Sequence, residues 1–201
     1  MLSLPVLAMA WDLLSQDLCA FEGKNYLVTM CHFSDWIEVD ELEDTLATTV
    51  VAKTEAHFAT FGAPTRIHTD NGPQFISENY AKLADKHKFQ HTTSSPYYPK
   101  GNGRAKAAVK VAKGLLKKSE NLNVALLLHR NTPQAGYSYS PAQRMLCRRT
   151  PTPLPTSSRL LEPHLVDTGV VQDEIGARRV ASKRLYDREA VRSHSPLSVG
   201  D

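Results

Sequence analysis

Cysteine is scarce in this chain: Cys19, Cys31 and Cys147 are the only three in 201 residues, and no two form a CxxC pair. An odd, widely spaced set excludes a disulfide scaffold and a cysteine zinc knuckle as the main architecture, and it points to a reducing, intracellular setting. Long apolar runs are missing too. Nothing approaches the ~20 residues of a membrane helix, and the apolar opening over residues 1–11 lacks the basic flank of a secretory signal. No membrane partner is expected. A third absence is local. Residues 86–119 hold no Asp or Glu, while Lys86, Lys88, Lys100, Arg104, Lys106, Lys110, Lys113, Lys117 and Lys118 give that window a charge of +9 against +3 for the whole chain. Such a block is either a solvated lysine face or a surface for a polyanion. Nucleic acid is the natural polyanion, because its phosphates exchange condensed counterions for lysines.

What is present suits one domain with tails. Apolar residues make up 41% and charged residues 22%, enough for a packed core. Residues 11–21 and 26–42 are apolar and β-branched, the second run broken at Ser34-Asp35, which predicts a strand followed by a hairpin. Helical spacing runs from Thr45 to Phe61 and stops at Gly62 and Pro64. A short strand over 65–69 leads into the turn Asp70-Asn71-Gly72-Pro73. Ser77 can cap a helix reaching about His87, and Phe89 to Thr93 is a further strand candidate. A Pro- and Gly-rich loop over 95–103 precedes a helix starting at Asn102. In that helix Ala105, Ala108, Val109, Ala112, Leu115 and Leu116 share one face, and Lys106, Lys110, Lys113 and Lys117 another. Short helices over 122–130 and 140–148, a Pro151-Pro153-Pro155 linker and an exposed basic helix over 174–192 complete the reading. This order predicts an α/β layer fold with a mixed sheet.

Asp17 and Asp70 each end a predicted strand. Carboxylates on neighbouring strand ends can converge on a hard cation such as Mg²⁺, although either residue alone is equally at home as a strand-end or turn residue. Their surroundings bear on this. Asp17-Leu18, Gly23-Lys24-x-Tyr26, Phe33-Ser34 with Glu38, Phe61-Gly62-x-Pro64, Thr69-Asp70-Asn71-Gly72-Pro73-Gln74-Phe75, Ser94-Ser95-Pro96-Tyr97-Tyr98-Pro99 and Asn102-Gly103 follow one another in order. Arg130-Asn131-Thr132-Pro133 and Ser140-Pro141-Ala142-Gln143 come after. From about Asp17 to Pro155 the chain resembles the catalytic core of retroviral and, more closely, gypsy-type LTR retrotransposon integrases. The resemblance implies a ribonuclease H-like fold, a five-stranded mixed sheet flanked by helices. It also implies DNA integration chemistry: two aspartates and a glutamate hold Mg²⁺ or Mn²⁺ ions that clamp an in-line phosphoryl transfer.

By that resemblance Asp17 and Asp70 are the first two catalytic ligands. The glutamate belongs after thirty-five intervening residues, and position 106 is lysine. An ammonium offers donors and no lone pair, so Lys106 is expected to disable two-metal catalysis and to leave one weak ion site at most. Glu78 and Asp85 would have to reach across from the preceding helix. The resemblance further implies that Asn71 and Gln74 lie beside the site and that residues 97–103 form its flanking loop. It implies DNA contact for Tyr97, Tyr98, Lys100, Asn102, Arg104, Lys110, Lys113 and Lys117. The expected organisation is an N-terminal remnant over 1–10, a core over 11–155, and a linker with a basic tail over 156–201, without the family's zinc module or C-terminal DNA-binding unit. A homo-oligomer through the core and nuclear residence follow from the same resemblance. Two other readings stay open: an active strand transferase or endonuclease that recruits another ligand, and a non-catalytic protein-interaction module.

Overall fold

The computed structural model describes residues 9–94 and 103–193, with side chains as far as 184. Five strands form one sheet in the order β3-β2-β1-β4-β5. β1 (Leu13–Phe21), β2 (Lys24–Cys31) and β3 (Ile37–Leu42) make an antiparallel meander, and β4 (Arg66–Thr69) and β5 (Gln90–Thr93) add in parallel beside β1. The parallel additions need crossovers, and helices supply them: α1 (Ala47–Phe61) joins β3 to β4, and α2 (Glu78–His87) joins β4 to β5. Then follow α3 (Gly103–Lys118), α4 (Leu122–Asn131), α5 (Pro141–Leu146), α6 (Ser158–Leu161) and α7 (Thr168–Ser193).

The sheet has two dry faces, set by the two-residue period of its strands. Leu14, Leu27, Cys31 and Ile67 belong to a core with Val50 and Phe58 of α1 and Tyr80 and Leu83 of α2. Cys19, Tyr26, Val28, Met30 and Val39 belong to a second core with Ala108 and Ala112 of α3 and Leu126 of α4. Alternation therefore gives Gln16 and Asp17 opposite destinations. Gln16 is fully buried on the first face. Its amide donates to Thr29 and Thr54 at 2.9 and 3.1 Å, and its carbonyl accepts from the Tyr80 hydroxyl at 2.6 Å. Asp17 turns to the α3 side.

The helix boundaries have local causes. The Ser77 hydroxyl accepts from Tyr80 N at 3.2 Å to start α2, which Lys88 ends in a left-handed conformation. At α1 the expected start at Thr45 moves two residues on, because the Asp44 carboxylate accepts from Leu46 N at 2.9 Å and the Thr49 hydroxyl at 2.6 Å, holding the chain extended before the first turn. Ser140 and Gln143 form a capping box at α5, with Pro141 in its first turn.

One expectation needs correction. The basic helix is exposed only beyond its first turns: it begins at Thr168, and Val171 and Ile175 are wholly buried in the first core. Two buried apolar residues four apart suffice to seat a helix end although they make no visible stripe. The proline-rich segment is also tied down, since Thr150 N donates to Asn131 Oδ1 at 2.7 Å and Arg149 N to Leu160 O at 2.9 Å.

Ile175→Ala should therefore cost about 2–4 kcal/mol of stability, whereas Val180→Ala on the exposed stretch should change it by less than about 0.5 kcal/mol. Urea unfolding distinguishes the two. A second expectation concerns pH. His32 is buried, with Nε2 2.7 Å from the Ser15 hydroxyl. Burial above all, then the charges of Arg104, Arg179 and His68, hold its pKa well below the usual histidine range. A depressed histidine contributes stability above its unfolded pKa and loses it as pH falls below about 6.5 toward the folded value. His91 and His129 are lowered in the same sense, mainly by burial. The urea midpoint should fall on acidification from neutrality, and His32→Gln should make that decline shallower.

Candidate active site and lysine face

β1 and β4 lie parallel with Ser15 opposite His68, so two residues further along each chain Asp17 comes level with Asp70. Both carboxylates are half-buried. Asp17 Oδ1 accepts from Leu18 N at 2.9 Å, and Asp70 Oδ1 accepts from Gly72 N at 2.9 Å. The turn after Asp70 is tight. A Cβ on Gly72 would come within 3.0 Å of Asp70 Oδ1 and 3.3 Å of Gln74 Oε1, so any larger residue would push the carboxylate from its place. Burial, and then the charge of Asp70, raise the Asp17 pKa, while its hydrogen bond with Leu18 and the charges of Lys106 and Lys113 lower it. Asp17 thus faces a second acid, and lysines from α3 act on it.

α3 delivers those lysines by the arrangement its sequence suggests. Ala105, Ala108 and Ala112 are buried against the sheet, while Lys106, Lys110, Lys113 and Lys117 are exposed. Lys106 and Lys113 are two turns apart and so share a side of the helix. The charge of Lys113 also reaches Cys19, two residues beyond Asp17 on the same strand face.

The other residues implicated by sequence divide into three groups. Asn71 Nδ2 donates to Ser94 O at 2.6 Å, tying the turn after β4 to the end of β5, and Gln74 lies half-buried in the same turn. Arg104, in the first turn of α3, points inward: its guanidinium pairs with the Asp35 carboxylate and donates to His32 O at 3.0 Å. Tyr97, Tyr98, Lys100 and Asn102 lie outside the described residues. Sequence reasoning missed the partner of Arg104. Asp35 reads as an ordinary turn residue, and its contacts with Arg144 and Arg178 come from more than a hundred residues away. No local pattern announces them.

The donor set does not fit a pair of divalent ions. Hard cations of the Mg²⁺ class take oxygen ligands, and Asp17 and Asp70 supply two carboxylates. Among the described residues no three His, Cys, Asp or Glu side chains gather as a metal cluster. Glu78 and Asp85 sit on α2, which covers the Gln16 face, so the sheet stands between them and Asp17; Glu78 pairs instead with Lys82 at 2.8 Å. His68 is engaged by hydroxyls, with Nδ1 3.0 Å from Thr92 Oγ1 and Nε2 3.2 Å from Ser94 Oγ. Among the described residues no helix is long and apolar enough to cross a membrane.

Comparison with known proteins places this geometry. Residues 9–99 match the family model described as "Integrase core domain". An uncharacterised protein of Caenorhabditis elegans is 31% identical over 175 residues, covering 80% of this chain and 14% of that protein. The Gag-Pro-Pol polyprotein of Human T-cell leukemia virus 2 is 33% identical over 107 residues, 51% of this chain and 7% of the polyprotein. The chain thus spans a small part of these relatives. Among solved structures, a chain of the simian T-cell lymphotropic virus intasome, in complex with a PP2A regulatory subunit, superposes with a TM-score of 0.66 at 21% identity over 82% of this chain and 63% of its own length. The catalytic core domain of BIV integrase superposes with a TM-score of 0.56 at 21% identity, covering 68% of this chain and 94% of that domain. Sheet order, crossovers and these likenesses agree on an integrase core over residues 9–99, in the ribonuclease H-like fold of retroviral integrase cores.

Proposed function

We propose that this integrase-derived core binds nucleic acid and has lost most or all of its strand-transfer chemistry, with Lys106 standing where the family carries its third acidic ligand. The observation that carries the reading is the placement of Lys106 on α3, whose alanine face packs against the sheet on the side where Asp17 points, so that its charge acts on Asp17. A glutamate there would add negative charge and oxygen donors to the acid pair. An ammonium adds positive charge and, while protonated, offers no lone pair. Opposite or like unit charges 4 Å apart still interact by about 4 kcal/mol at an effective dielectric of 20, so exchanging one sign for the other is decisive for a divalent ion. Asp17 and Asp70 alone leave room for one weakly held Mg²⁺ or Mn²⁺ at most, which does not support a two-ion phosphoryl transfer.

Nucleic-acid binding rests on different residues. Lys106, Lys110, Lys113 and Lys117 are exposed along a helix whose buried alanines fix it to the sheet, and an ordered row of cations suits a phosphate backbone. We assign Asn71, Gln74, Tyr97, Tyr98, Lys100 and Asn102 to the same DNA contact on the sequence resemblance. Residues 11–155 act as the core, with Val171 and Ile175 of α7 packed onto it, and the rest of 156–201 as an extension whose basic residues gather over 178–192. An intasome chain among the structural neighbours supports assembly through the core and action on DNA, and nuclear residence is part of the same proposal.

Two measurements test this reading. Given element-end DNA with Mg²⁺ or Mn²⁺, the unaltered protein should show little or no strand transfer, while Lys106→Glu should show more; equal activity in both would contradict the claim of disablement. Duplex binding should weaken steeply with salt, and Lys110→Gln or Lys113→Gln should each reduce the slope of log K against log salt by about 1. Absence of duplex binding at low salt would favour a protein-interaction module.

A further inference from the structure

The four lysines of α3 stand three or four residues apart, so each has a like charge as its neighbour on the helix surface. The helix opens at Gly103, and its first turn carries no acid to meet the positive end of its dipole. By its own sequence the opening turn is therefore the weakest part of α3. It also carries Lys106, about 3 Å along the helix axis from Arg104, and the rest of the row follows from its position. Something outside α3 has to hold this turn.

The β2–β3 turn does so. Asp35 sits there nearly buried, in a left-handed conformation with φ 54°, which aspartate tolerates better than most residues. The Arg104 guanidinium pairs with its Oδ1 and donates to His32 O of the same turn at 3.0 Å. The turn is a fixed support. Cys31 N donates to Trp36 O at 2.9 Å, Asp35 N to Cys31 O at 3.0 Å, and His32 N to Leu13 O of β1 at 2.9 Å. The second carboxylate oxygen is held from α5: Arg144 Nη1 donates to it at 3.1 Å and to Phe33 O at 3.2 Å. The Arg144 side chain is wholly buried, and its guanidinium lies over the Tyr137 ring. Asp35 cannot swing out with Arg104, so Arg104 keeps the place that the turn gives it. Only 26% of the Arg104 side chain is exposed, and its charged end is engaged in the fold where the resemblance implies a DNA contact.

We propose that Asp35 and Arg104 are positioning residues of the nucleic-acid surface: the pair pins the opening turn of α3 to the β2–β3 turn and so sets Lys106 and the row behind it, without touching phosphate. This role rests on the binding of nucleic acid by the lysine row proposed above. Coulomb forces alone make a carboxylate beside a phosphate-binding surface unfavourable, so on that basis removing Asp35 tightens binding. A positioning role gives the opposite sign, because without its anchor the first turn frays and Lys106 loses its place.

The test is fluorescence titration of a DNA duplex at low salt with the whole chain, beside amide hydrogen exchange, with the folding of each variant checked by urea unfolding. Asp35→Asn should weaken duplex binding roughly fivefold, and Arg104→Gln to a similar extent. The double variant should bind no worse than either single one, since both remove one interaction. Arg104→Lys, which keeps a cation for Asp35, should recover most of the loss. The amides of Ala107 and Ala108 donate to carbonyls of the opening turn. They should exchange roughly tenfold faster in Asp35→Asn and Arg104→Gln, with those of Leu115 and Leu116 unchanged. Where Asp35→Asn does not fold, Arg104→Gln against Arg104→Lys carries the same comparison. Equal or tighter binding by Asp35→Asn, with Arg104→Gln lowering the slope of log K against log salt by about 1, makes Arg104 a phosphate contact and overturns the proposal. Unchanged exchange at Ala107 and Ala108 in both variants overturns it as well. If the unaltered protein binds no duplex, the lysine-row reading falls and this role with it. If Lys110→Gln weakens binding and neither Asp35→Asn nor Arg104→Gln does, this role alone falls.

Discussion

Two carboxylates held level on adjacent strands repel each other, and the cations that act on this pair in the present chain are lysine ammonium groups from α3. That balance organises the rest. The sheet register brings Asp17 and Asp70 together, Gly72, without a side chain, leaves the space the Asp70 carboxylate occupies, and the alanine face of α3 sets its lysines over β1. In the proposed reading Lys106 stands where the family carries a third acid, so the site would change character through one position while the cores, built from other residues, keep the fold.

Much of this was legible in the sequence. Period-two alternation and the break at Ser34-Asp35 gave the meander, and helical spacing with Gly62, Ser77 and the Asp70 turn gave the crossovers. The alanine and lysine faces of α3 could be read because both repeat at helical intervals within one segment. The ordered words from Asp17 to Gly103 pointed to the integrase core, which the fold and the relatives support. What stayed hidden depends on long-range pairing. Val171 and Ile175 sit in a run of mostly polar residues with no apolar stripe, yet their burial makes the first turns of α7 part of the core. Asp35 gave no signal of its arginines, since a lone turn aspartate looks the same whether it faces water or three guanidinium groups.

Asp35 shows how a second electrostatic centre supports the first without sharing its residues. By holding Arg104 it fixes the opening turn of α3, two residues before Lys106. By gathering Arg144 and Arg178 it connects the later helices to the same point. Removing one partner of such a buried group leaves the others uncompensated, which is why its parts are expected to act together. The lysine row lies along an exposed helix, whereas the arginine cluster is enclosed around Asp35.

The central claim is that the acid pair is served by a lysine in place of a third acid. The most direct measurement is anomalous diffraction from crystals soaked in Mn²⁺. The account predicts no metal peak between Asp17 and Asp70, or a single weakly occupied one, with the Lys106 ammonium turned toward the carboxylates. Two well-occupied ions there, completed by another oxygen donor and with Lys106 turned away, would contradict it.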